Sequence, residues 1–183
     1  MSYNQNIAST TKYGAVKVGT GITEVNGVIS AAIANNYGFA TSVTTQTNPV
    51  ASAVNIATFD ALGPSNGISI GGGNSLVVAN TGTYTQIFTI ITNKTSGGTA
   101  VISLWLRKNG VNLVGSSQEL PLTNNLSAVF ISGNYTLDMT AGDNVQLCWS
   151  SADTTTSLTA LAPLVGPVRP SGYSVKVTLT RIS

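Results

Sequence analysis

Histidine is missing from the 183-residue chain. That removes Ser-His and Cys-His nucleophilic relays, and every His metal site, from what the chain can do. Its carboxylates are Glu24, Asp60, Glu119, Asp138, Asp143 and Asp153. A glycosidase needs two of these facing each other across a cleft, and only folding could bring such a pair together. Asp143 stands in Ala-Gly-Asp-Asn, where an acid serves a turn by accepting backbone N–H bonds. Asp138 borders that turn, and Asp153 lies in a polar Ser-Ala-Asp-Thr loop. No Asp-x-Asp-x-Asp spacing marks a calcium loop. Gly19-Thr-Gly21 lacks a third glycine and a following helix, and Gly71-Gly-Gly73 lacks a following Lys-Ser/Thr, so neither is a phosphate loop. Cys148 is the single cysteine, and in Val145-Gln-Leu-Cys-Trp149 it reads as a buried reduced thiol. The expectation is a protein that is not an enzyme, with no catalytic residue, cofactor or metal.

The stretches around these residues have strand periodicity. Tyr84, Phe88 and Ile90 fall on one face of an extended run, with Thr83, Thr85 and Thr89 on the other. Ile102, Leu104 and Leu106 repeat the device, with Val101, Ser103, Trp105 and Arg107 opposite. Asn93–Gly98 reads as the turn between these runs, and Asn109-Gly110 is a hairpin signal after the second. From Thr44 onward short strands and turns alternate: Val54–Phe59, Ile68–Ile70, Ser75–Val78, Ala128–Ser132, Tyr135–Leu137, Val145–Ser150 and Tyr173–Ile182. This spacing indicates a sandwich or barrel.

Apolar residues make up 42% of the chain and charged residues only 8%, against roughly 25% in ordinary soluble domains. So charge-poor a surface protects weakly against association, which points to an oligomer or a particle component. A net charge of +2, scattered along the chain, makes nucleic acid an unexpected partner. No apolar run reaches the roughly 20 residues of a membrane span, so membrane insertion is not expected. Met1–Asn6 lacks the basic and apolar segments of a secretory signal, which leads to the expectation of synthesis and assembly in a cytoplasm.

Before Thr44 the pattern differs. Ala15–Val18, Ile22–Val25 and Val28–Ser30 are short strands separated by Gly19-Thr-Gly21 and Asn26-Gly27, too few to bury a core alone. Val16–Ser30 resembles one repeat of the triple β-spiral shaft of viral fibres, and an ordinary β-hairpin arm is the alternative. Either way Val16, Val18, Ile22, Val25, Val28 and Ile29 are the candidate anchoring residues. Ala31–Gly38 reads as a linker.

Several blocks in order carry a second resemblance: Gly82-Thr-Tyr84 leading to Phe88, Ser103–Gly110, Ser132–Ser151 with Ala141-Gly-Asp143, and the closing Tyr173–Thr180 strand. They resemble the C1q/TNF-like jelly roll, in versions carried by tailed phages of aquatic bacteria, over about three-quarters of the chain from Thr44 to Ser183. The collagen-like stalk of animal C1q proteins is absent. The fold expected is therefore all-β, an antiparallel jelly-roll sandwich (C1q/TNF-like) over residues 41–183, with a short N-terminal β arm or stalk over residues 1–40. The resemblance implies a homotrimer, with one sheet of each subunit facing its neighbours. Trp105, Val101 and Trp149 are the candidate interface residues, because apolar side chains occur on both faces of their strands. The function expected is a phage virion structural protein: a fibre or decoration knob at the particle surface, held to other virion proteins by its arm and able to contact host-surface glycan. A lectin-like adhesin and a capsid cement protein lying flat on the shell are the alternatives.

Overall fold

A computed structural model describes residues 22–25, 28–31, 35–123 and 129–183. The chain divides into two units, Met1–Ala34 and Asn35–Ser183. In the first, β1 (Ile22–Val25) and β2 (Val28–Ala31) pair antiparallel, with Ile22 opposite Ala31 and Val25 opposite Val28. Of the candidate anchoring residues, Ile22, Val25, Val28 and Ile29 lie on this hairpin. Val16 and Val18, with residues 16–21 and 26–27 of the shaft repeat, lie outside the described residues.

The second unit contains β3 (Tyr37–Ser42), β4 (Gln46–Thr47), β5 (Asn55–Ile56), β6 (Ala61–Leu62), β7 (Ile68–Gly71), β8 (Ser75–Val78), β9 (Gly82–Lys94) and β10 (Thr99–Lys108). It continues with β11 (Val111–Asn112), β12 (Gln118–Thr123), β13 (Val129–Met139), β14 (Asn144–Ser151), β15 (Thr156–Leu158), β16 (Leu164–Val165), β17 (Val168–Arg169) and β18 (Val175–Arg181). One sheet runs β4-β15-β9-β18-β3-β6, with β13 also on β9. The other runs β11-β10-β14-β8-β7, with β12 also on β10 and β5 on β14. Strands distant in sequence lie side by side: β3 pairs with β18, Ala40 opposite Val177.

Alternation along each strand decides what the sheets enclose. Tyr84, Phe88 and Ile90 of β9 and Val175, Val177 and Leu179 of β18 are buried from one sheet; Ile102, Leu104 and Leu106 of β10 and Val145, Leu147 and Trp149 of β14 are buried from the other. These residues form a single cluster, so the two sheets make a sandwich around one core. Asn109 and Gly110 both have positive φ, 49° and 79°, as the tight turn between β10 and β11 requires.

Two strands differ from the sequence reading. Tyr37–Ser42 is a full strand of the sandwich, whereas the sequence pattern reads as a linker through Gly38 with the knob starting at residue 41. Its small residues, Gly38, Ala40 and Ser42, give little periodic signal and gain their burial from β18. Likewise Val129–Ser132, the described part of the run read from Ala128, and Tyr135–Leu137 belong to one continuous strand, β13. Gly133 sits within it because a side chain there would collide: an added Cβ would lie 2.5 Å from the Phe88 ring.

Candidate interaction surfaces

Asp60, Glu119, Asp138, Asp143 and Asp153 are each tied into local structure. Asp60 Oδ2 accepts bonds from Ser42 Oγ (2.9 Å), Val43 N (2.8 Å), Thr44 N (3.1 Å) and Thr44 Oγ1 (3.0 Å). Burial pushes its pKa up, but these four donors outweigh that and hold it below the ordinary value. Asp143 Oδ2 meets Lys108 Nζ at 2.8 Å and accepts from Thr140 N, while its Oδ1 accepts from Asn109 Nδ2. The Lys108 bond, then the Thr140 amide and the Asn109 amide, lower its pKa to about 2. Asp153 is lowered to about 2 first by Lys94 and then by the Thr155 hydroxyl and amide. Asp138 accepts from Thr83 Oγ1, and Glu119 from Ser103 Oγ. Each acid braces a turn or a strand pair. Among the described residues, no group of three or more His, Cys, Asp or Glu side chains is placed to hold a metal ion.

The three candidate interface residues separate. Trp149 is 1% exposed and lies opposite Leu104, so it belongs to its own chain's core and cannot touch a neighbour. Alternation did place Trp149 with Val145 and Leu147; that shared face is the inward one. Trp105 and Val101 point to the other side of β10. Val101 is 41% exposed, opposite Pro121. Trp105 is half-buried, and its Nε1 donates to Asn112 Oδ1 at 2.9 Å. Cys148 stands opposite Trp105 and Ile56 on this outer side and is nonetheless fully buried.

A second apolar surface is on the outer face of the β13-β9-β18-β3 sheet. Phe130 is 64% exposed beside Ile91, and Ile87 is 46% exposed. The row through Ile87 continues across Thr178 to Phe39, where Lys176 Nζ lies 5.6 Å from the ring centroid. At the Phe130 end is a groove of about 450 Å³, lined by Thr89, Ile91, Phe130, Leu161, Lys176 and the segment 169–173. No carboxylate lines it. Sequence reasoning missed this surface because Ile87 and Phe130 are single apolar residues within Thr- and Ser-rich alternation. Only the pairing of β13 with β9 brings them onto one face.

Beyond the groove stands the hairpin β16–β17. Leu164 pairs with Arg169 and Val165 with Val168, and a bridge between Leu161 and Gly172 closes its base. Arg169 Nη2 donates to Ala162 O at 2.9 Å. Ala162 to Ser171 are all exposed, although Leu164, Val165 and Val168 are apolar.

A sandwich with this strand order is an antiparallel jelly roll, and comparison with solved structures agrees. Murine APRIL at pH 8.5 superposes with a TM-score of 0.50 at 11% identity, over 81% of this chain and 99% of that one. The globular domain of zebrafish complement 1qA protein gives 0.49 at 13% identity, over 81% of this chain and 98% of that one. No family model matches the sequence, and no curated protein matches it. The chain has the C1q/TNF-like jelly-roll fold.

Proposed function

We propose that this chain is a trimeric knob of a virion, of the kind phages carry, held to other particle proteins by residues 1–34 and presenting its loops to the host surface. The observation that carries the trimer is the exposed face around Phe130 and Ile87 on a C1q/TNF-like sandwich. An apolar patch rimmed by threonines marks a protein contact, and a charge-poor surface does little to oppose it. The face through Phe130 and Ile87 is the better interface than the one through Val101 and Trp105, because Trp105 is half-covered and its N–H already has a partner. The virion role rests on the wording of Ser103–Gly110 and Ser132–Ser151 and on the short-stranded arm.

Sedimentation equilibrium at low micromolar concentration tests the trimer. Three chains per particle are expected, with Phe130→Asp giving monomer and Val101→Asp leaving the trimer intact; a monomeric wild type refutes the reading. For the virion role, a chain beginning at Asn35, which keeps all of β3, should still form a soluble β-rich trimer. It should fail to enter particles that take up the full chain. Incorporation without residues 1–34 would move the anchor onto the sandwich and favour a cement protein lying flat on the shell.

A further inference from the structure

Val165 and Val168 are 95% and 88% exposed, the tip of a hairpin whose two strands each contribute only two paired residues. So short a hairpin is marginal by itself, and an apolar tip gains nothing by standing in water. At its foot, on the same chain, is the apolar groove floored by Ile91 and Phe130. Tip and groove are different patches, so a contact between them is head-to-tail, and repeated about a threefold axis such a contact closes into a ring.

We propose that the hairpin tip of each copy seats in the groove of the next copy of the same chain, making the trimer a ring of three such contacts. This rests on the trimer proposed above and adds the element that locks it. Counting roughly 200 Å² for a fully exposed aromatic ring and less for a branched aliphatic, the tip and the face around the groove offer on the order of 700 Å² of apolar surface per contact. Apolar atoms make up roughly 56–58% of an ordinary interface, so the whole contact reaches roughly 1,200 Å², the lower bound for a stable association. The tip carries no acid, and the groove's two cations, Arg169 and Lys176, meet the carbonyl oxygens of the entering turn.

The test uses two full-length chains with different tags, co-expressed: one with Val165→Cys, the other with Thr89→Cys in the groove wall. Native Cys148 is buried and gives little background. Mild oxidation should yield a disulfide joining the two tags, and each single variant alone should not. In parallel, Val165→Lys with Val168→Lys should weaken association by at least about a hundredfold, because the new cations would enter a groove that already carries Arg169 and Lys176 and no carboxylate. A wild-type trimer with no mixed disulfide, and with unchanged association in the double Lys variant, overturns the inference and leaves the trimer standing. Unchanged association combined with lost binding to host cells or glycan also overturns it, making the tip a receptor contact. A monomeric wild type overturns both.

Discussion

Gly133→Ala is the sharpest perturbation the core allows. The added Cβ would lie 2.5 Å from Phe88 Cε1, 2.6 Å from Phe88 Cζ and 2.9 Å from Gln118 Nε2. Phe88 is fully buried and stacks on Tyr135 with ring centroids 6.2 Å apart and planes 12° from parallel. Tyr135 is itself held, donating its hydroxyl to Ser116 O at 2.8 Å and accepting from Gln118 Nε2 at 2.7 Å. The ring cannot swing away without breaking this arrangement. Overpacking of this kind costs about 1–3 kcal/mol, and losing the ring stack costs about 0.5–1.5 kcal/mol more. Removing glycine's backbone freedom offsets roughly 0.5–1 kcal/mol. The net is a destabilisation of about 0.5–4 kcal/mol, or a fall in unfolding temperature of roughly 2–12 °C for a domain of this size. Thermal unfolding by far-UV circular dichroism, at one fixed chain concentration because association adds to apparent stability, measures it directly. In a Phe88→Leu background the same glycine change should cost under about 1 kcal/mol, since the colliding ring is gone. A Gly133→Ala protein as stable as wild type, or an undiminished cost beside Leu, would refute the packing argument.

Asp153→Ala should lower the unfolding temperature more than Lys94→Met. Lys94 is fully buried, with Asp153 Oδ2 at 2.7 Å and bonds to Ser96 O and Gly97 O, whereas Asp153 is a quarter exposed and can be hydrated once its partner is gone. The reverse order in a melting series would contradict this. Asp143 and Asp153 have folded pKa values of about 2, depressed from 3.8, so their contribution is present above the unfolded value and lost as pH falls towards the folded one. Stability should therefore be flat from about pH 5 to 8, where the chain has no histidine to titrate, and drop between about pH 4 and 2; a slope near neutrality would disprove it. Finally, Trp105→Ala should speed labelling of Cys148 by a thiol reagent at least about tenfold, because directly opposed side chains in a sheet lie roughly 5 Å apart and the indole covers the thiol. Unchanged labelling would mean that other groups hide it.

Much of this molecule was legible in advance because strand alternation is a local property. Reading β9 and β10 in steps of two separates Phe88 and Leu104 from Thr89 and Trp105, and Asn109-Gly110 names its own turn. The same rule put Trp149 with Val145 and Leu147. It could not say whether that face was core or interface, since the answer depends on Leu104, which lies opposite Trp149 from another strand. Where side chains are small, as in Gly38-Phe-Ala-Thr-Ser42, the alternation carries little signal, and burial came from β18, more than 130 residues away. The exposed face was invisible for a related reason. Ile87 and Phe130 are isolated along the chain and become one surface only through the register between β9 and β13. Composition determined that the strands would be many and the charges few, because Thr, Ser and Asn favour strands and turns. Which apolar side chains remained uncovered was decided by tertiary structure, since a sheet has two faces and only pairing between distant strands settles what each face meets.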